Sequence, residues 1–420
     1  MQTRRSFLKR FTLLSTSACA PTFLVRSIKA ARTQGMANAE LGNPNRILVV
    51  VELSGGGDGL NTVIPYADPN YYAARPGLAL QPADVLKLDE RVALHPSMTG
   101  FKDLWDNGLL SLVQGVGYPN PNRSHFRSRD IWYTAEPEKA SSDGWLARYF
   151  DLTESKSSLQ GINVGGKVSR AMVSESGSSP SIQNIATYQI QTDPKYPRDE
   201  ANKIGAFQRM LSEPHDRFPF QEYVSETVLD ATLSSVQLLE GKESYHSTID
   251  YPNTAFATNL RTIAQIVAAD IGVTVFYTSI SGFDTHANQV VGDNNRLGSH
   301  AGLLEDVSQG IKAFYDDMVE MGRGQDVLVV SFSEFGRRLT ENGSLGTDHG
   351  TANQMFLVGG SLNPGLYGRH PGLEADQLDE IGDMVYQVDF RSVYATLLAH
   401  WLGTDPNPIL GADWPLLSFV

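Results

Sequence analysis

Cysteine is all but missing from these 420 residues: Cys19 is the only one. Because it lies near the N-terminus, the rest of the chain has neither disulfide nor thiol chemistry available. No run of residues approaches the ~18 apolar positions of a spanning helix, so no membrane span is expected in the mature chain. Positive charge is also short, with 34 Lys and Arg against 47 Asp and Glu and a net charge of -13. Six of those basic residues, Arg4, Arg5, Lys9, Arg10, Arg26 and Lys29, fall in the first thirty positions, where there is no acid; removing them takes the charge from -13 to -19. Nucleic acid is thereby excluded as a partner, since neutralising phosphates needs a basic surface. Several motifs are absent too. Gly55, Gly56, Gly57, Asp58 and Gly59 are not followed by Lys-Ser or Lys-Thr, so they form no P-loop, and Leu60 stands where a dinucleotide fingerprint needs its last glycine. There is no His-Glu-x-x-His and no Gly-x-Ser-x-Gly, which removes the main support for a zincin protease or an α/β-hydrolase.

What is present begins at Arg4 and Arg5, followed by Ser6, Phe7, Leu8 and Lys9 and a weakly apolar stretch from Phe11 to Val25. A twin-arginine pair ahead of an apolar segment is the address read by the Tat export machinery. Residues 1–30 are therefore expected to be a Tat signal peptide cleaved near Ala30, giving a periplasmic or secreted protein that crosses the membrane already folded. That route suits a chain that acquires a metal together with its fold. Acylation at Cys19 is the alternative, but Thr16, Ser17 and Ala18 lack the leucine such a signal carries.

Residues 46–53 form a β-branched run ending in the glycine tract, and 110–114 and 326–332 read as further strands. Between them, Phe256, Leu260, Ile263 and Val267 share one helical face, and a strand is expected at 272–277. Leu303, Leu304, Val307, Ile311, Phe314 and Met318 stripe a second helix over 300–321. Asp389 caps a last helix carrying Val393, Leu397, Leu398 and Trp401, closed by Gly403. This alternation predicts an α/β layered fold with a largely parallel sheet and helices on both faces. Residues 31–420 are expected to form a single domain with a Ser-, Gln- and Pro-rich insertion or cap at about 169–253.

In such folds the chemistry sits beyond the carboxyl ends of the strands. Asp58 follows the first strand, Asp284 and His286 a later one, Glu334 the strand ending near Phe332, and Asp348 and His349 come soon after. Carboxylates and imidazoles arriving from separate strand ends are what a site for Zn, Mn, Mg or Ca requires, because its ligands must converge from several directions. Taken singly, each pair is also an ordinary turn with a capped helix behind it. Ser124, flanked by Arg123, His125 and Arg127, is the remaining nucleophile candidate, and equally a plain helix N-cap. Ser128, a turn further on, is expected to have its hydroxyl committed to a backbone carbonyl.

These residues together resemble the alkaline phosphatase and sulfatase superfamily. Within it the chain is identified as a member of the bacterial family catalogued as domain of unknown function 1501. The resemblance rests on residues 51–62, the Ser124 loop, Gly282, Phe283, Asp284, Thr285 and His286, residues 333–338, and Asp348, His349 and Gly350. It implies an alkaline phosphatase-like fold, a Ser124 nucleophile with Arg123 and Arg127 on the developing charge, and Asp58, Asp284, His286, Glu334, Asp348 and His349 as ligands of a divalent metal. Two placements of the motif compete. By letters, Asp348, His349 and Gly350 match the superfamily's Asp-His-Gly, with His370 trailing. By strand order, Ser333, Glu334, Phe335 and Gly336 take that place and His349 becomes the final histidine; this placement is favoured, and it puts Phe335 where a ligand histidine would stand. The expected function is an exported, metal-dependent hydrolase acting on a small anionic phosphate or sulfate ester. The opposing reading is a non-catalytic secreted protein retaining the fold with a structural metal site.

Overall fold

The computed structural model describes residues 45–153, 159–188, 202–203, 205–206, 209, 235–292 and 294–420. The signal segment at 1–30, with Arg4, Arg5 and Cys19, and most of residues 189–234 in the middle of the expected insertion lie outside the described residues.

The β-branched run forms the strand Ile47–Ser54, whose side chains alternate between two cores. Ile47, Val49, Val51 and Leu53 pack with the helices Thr99–Asp106, Ala255–Ala268 and Ser299–Glu320. Leu48 and Val50 pack with His125–Thr134, Trp145–Leu152 and Phe390–Thr396 on the opposite face. A strand buried on both sides reads as a continuous apolar run for this reason, and the result is a three-layer α/β/α body.

The central sheet has nine strands among the described residues. Ile47–Ser54 lies between Val275–Ser281 and Val327–Phe332, parallel to both. Gly161–Val164 and then Ser181–Ile182 extend the first side, again parallel. The start of the stretch read as an insertion is thus an edge of the sheet, because Ser181–Ile182 finds a strand partner. On the other side Asn353–Val358 runs antiparallel to Val327–Phe332 and to Leu110–Gly117. Leu110–Gly117 in turn pairs in parallel with Gly365–Gly368 and Val388–Asp389.

That one reversed strand positions the site. Its amino end lies at the sheet edge where the parallel strands have their carboxyl ends. His349, just ahead of it, therefore reaches the same edge as Asp284 and Glu334, which follow strands running the other way. Two glycines let the loops there close. A Cβ on Gly55 (φ +129°) would stand 2.4 Å from Asp284 N, and one on Gly56 (φ +66°) would stand 2.1 Å from the Phe335 ring, so no other residue fits either place.

Candidate metal centre

Asp284 and His349 form the shared edge of two triangles. On one side is His125, the first residue of the helix His125–Thr134; one ligand atom each from His125, Asp284 and His349 lie within 4.8 Å of one another. On the other is His286, whose Nε2 is 3.1 Å from Asp284 Oδ1 and 2.9 Å from His349 Nε2. His349 Nε2 is itself 3.2 Å from Asp284 Oδ1.

The outward nitrogen of each ring is held. His349 Nδ1 lies 2.7 Å from the carbonyl oxygen of Arg123, which can only accept, so Nδ1 carries the proton. His125 Nδ1 lies 2.8 Å from Glu334 Oε1, and His286 Nδ1 lies 3.2 Å from Asp348 Oδ1. Each carboxylate also accepts from other donors: both Glu334 oxygens from Gly55 N–H, and Asp348 Oδ1 from Asn342 Nδ2. With Nδ1 as the donor, each ring turns its Nε2 toward the one carboxylate of Asp284. His125 Nε2 is buried and makes no hydrogen bond, its nearest carboxylate oxygen being Asp284 Oδ2 at 3.5 Å. Two facing imidazole nitrogens at 2.9 Å need a proton or a metal cation between or beside them, and imidazole nitrogens held from behind by carboxylates and a carbonyl are the usual surroundings of a bound metal. The residues present fit a divalent cation.

Ionisation agrees. Burial would raise the Asp284 carboxyl, but Arg337 and His349 hold it down at about 2. Burial lowers His349 and outweighs the opposing pull of Asp284 and the Arg123 carbonyl, which keeps the ring neutral. For Glu334 burial pushes upward, and the bonds from His125 and the Gly55 and Gly56 backbone reverse it. Phe335 closes the apolar side, its ring centroid 4.8 Å from that of His125 and 4.7 Å from that of His349.

Several expected roles change. Asp58 is fully buried and spent: Arg75 Nη1 donates to both its oxygens at 2.7 Å and Gln289 Nε2 donates at 2.6 Å, so it faces a guanidinium where a metal was expected. Glu334 and Asp348 stand behind His125 and His286, orienting rings, and offer no atom to the converging set. Arg123 is paired with Asp379 and Asp383, and Arg127 with Asp130; neither guanidinium is available for an anion, although the Arg123 carbonyl orients His349. His370 is half-buried away from the cluster, against Pro371.

Ser124 is the helix N-cap by position, exposed, with no side-chain capping bond. Ser128 is instead committed, bonded to Tyr118 Oη and to the Glu334 carbonyl. His125 is the ligand candidate that sequence reasoning missed. Its signal was its place at a helix start beside the nucleophile candidate, where it read as a neighbour of Ser124.

No helix of the described residues is long and apolar enough to cross a membrane. A comparison with curated proteins returns no match. Similar solved structures include the lipoteichoic acid synthase LtaP from Listeria monocytogenes, at 10% identity, covering 80% of this chain and 73% of that one with a TM-score of 0.33. A protein in the alkaline phosphatase superfamily from Vibrio parahaemolyticus is 9% identical, covering 89% and 71%, with a TM-score of 0.34. The C-terminal periplasmic domain of EcEptC from Escherichia coli, in complex with Zn, is 10% identical, covering 77% and 75%, with a TM-score of 0.30. Likenesses this distant assign no activity. The chain belongs to the family described as Protein of unknown function (DUF1501), whose model matches residues 45–412.

Proposed function

We propose that this family member is an exported, metal-dependent hydrolase of phosphate or sulfate esters. The observation that carries the metal is the convergence of His125, His286 and His349 Nε2 on Asp284, each ring held through Nδ1. Three nitrogens and one carboxylate suit Zn or Mn better than Mg or Ca, which prefer all-oxygen shells. A cation held there supplies Lewis-acid polarisation of an ester oxygen. Ser124 stands next to ligand residue His125 at the positive end of a ten-residue helix, its hydroxyl unspent, and serves as the nucleophile for in-line displacement. Glu334, Asp348 and the Arg123 carbonyl keep the imidazoles in the tautomer the ligands need.

A second reading is favoured by one observation: three imidazoles and one carboxylate stand together, the number of protein ligands that a closed structural site uses. The two separate on purified mature protein. Bound metal with turnover of an aryl phosphate or aryl sulfate supports the hydrolase, and Ser124→Ala should then abolish turnover with metal content intact. Stoichiometric metal with no turnover of either ester class supports the structural role, and no metal at all sinks both. Export is tested apart. Changing Arg4 and Arg5 together to lysine should hold precursor in the cytoplasm, and normal yields outside it would remove the Tat assignment.

A further inference from the structure

Six arginines surround the candidate centre, and five are spent on carboxylates. Arg75 pairs with Asp58, Arg123 with Asp379 and Asp383, Arg127 with Asp130, Arg337 with Asp284 and Arg338 with Asp383. Arg129 differs. Among the described residues no carboxylate lies within ion-pair distance of it; its Nε donates to the His125 carbonyl at 3.2 Å and its Nη1 reaches Ser54 Oγ at 3.4 Å. Those two contacts place it beside the centre from two directions. His125 is one turn earlier on the same helix face. Ser54 ends the first strand, and its carbonyl accepts from Phe283 N, the residue before Asp284. The guanidinium also lies 6.0 Å from the ring of Phe126, which is 84% exposed at the start of that helix.

The charges around this arginine limit what it can receive. A divalent cation with Arg129 and Arg337 brings four positive charges, and Asp284, Glu334 and Asp348 bring three negative ones. Asp58 cancels Arg75, Asp130 cancels Arg127, and Asp379 with Asp383 cancels Arg123 with Arg338. Buried Glu52, which accepts from Tyr133 and Tyr277, subtracts one more when ionised. The centre therefore offers between zero and one net positive charge. A dianion would leave charge uncompensated beside the buried Glu334, at a desolvation cost that a monoanion avoids.

We infer that Arg129 holds the oxyanion of the substrate and that this oxyanion is a monoanionic ester group, a phosphodiester or a sulfate monoester, with Phe126 offering its face to the esterified group. The inference rests on the ester-hydrolase reading and deepens it.

The test is titration calorimetry at pH 8 on zinc-loaded wild type, Arg129→Gln and, as a surface control, Arg296→Gln. The probes are dimethyl phosphate and methyl sulfate as monoanions and methyl phosphate as dianion. Wild type and Arg296→Gln should bind one monoanion roughly tenfold or more tighter than methyl phosphate, and Arg129→Gln should lose that binding by at least about tenfold, the loss of a charge-assisted partner. Zinc content should be equal in all three, because Arg129 is not a ligand. The tighter monoanion tells phosphodiester from sulfate ester. Tightest binding of methyl phosphate, unchanged binding by Arg129→Gln, or no binding of any probe by wild type overturns the inference. The hydrolase reading is judged separately, by metal content and the aryl-ester screen.

Discussion

Asp58 and Asp284 begin from the same place in the sequence and end with opposite environments. Each follows a central strand and a glycine turn, at neighbouring points on one sheet edge. Asp58 is sealed: fully buried, its charge answered by Arg75, with Asn61 and Gln289 around the pair. Asp284 is open, its side chain 48% exposed, and it faces three imidazoles with Arg337 behind one oxygen. The difference teaches that a strand-end carboxylate becomes structural or functional according to what the rest of the chain delivers to it. For Asp58 that is a guanidinium from residue 75; for Asp284 it is histidines from positions 125 and 349.

The comparison breaks most visibly at the sealed acid. Arg75→Ala leaves a buried carboxylate unpaired and should lower folding stability by about 3–5 kcal/mol. Chemical denaturation measures this, and loss of less than about 1 kcal/mol would show that Asp58 is not held by the ion pair. At the open acid the effect moves from stability to binding. Asp284→Asn or His125→Ala should cut zinc affinity by roughly a hundredfold or more, since a lost ligand costs more than a lost outer partner; apo His125→Ala should melt close to the wild type, whereas apo Asp284→Asn should melt lower because it takes the counter-charge from buried Arg337. Equal zinc affinity in competition with a chelator would dissolve the shared centre. Glu334→Gln should fall between, weakening zinc by about 10–100-fold through His125 orientation; no change would mean that Glu334 does not act through His125.

The two regions also separate by pH. His300 contacts Thr62 in the Asp58 region, and burial lowers it to about 4; His95, beside it, is lowered to about 3 by burial and then by His300. The unfolded rings protonate near 6.5, so below that pH the unfolded state binds protons the native state refuses. Stability from these two rings is complete above about pH 6.5 and is lost as pH falls toward 4, by at most about 1.4 kcal/mol per pH unit for each ring. Denaturant midpoints of metal-free protein between pH 7 and 4.5 should fall, and a flatter profile is expected for a variant with His300 replaced by Gln. An identical profile would remove His300 from the account.

Much of the fold was legible because two-sided burial writes itself as β-branched runs. The strand Ile47–Ser54 and the helix Ala255–Ala268 fall where periodicity puts them, and the last helix starts at the Asp389 cap. The strand expected at 272–277 forms instead at Val275–Ser281, as a glycine turn at Gly272 (φ +76°) delays it. Asp284, His286 and His349 were legible as candidates because each sits against a strand. Asp58 misled because nothing local announces Arg75, which arrives from the end of a short helix. Glu334 and Asp348 were legible as acids but not as supports, because which nitrogen of a ring a carboxylate touches is decided by packing across more than sixty and two hundred residues, respectively, for His286 and His125.

The reversed strand Asn353–Val358 also sets a timetable. The bond that orients His349 joins it to Arg123 across 226 residues of chain, and the histidine arrives just ahead of the last long strand to enter the sheet. Closing a loop of that length is slow and comes after local helices have formed. During synthesis His349 cannot join His125, Asp284 and His286 until most of the polypeptide has been made. Any ion held there would arrive at strands that the sheet has already brought together.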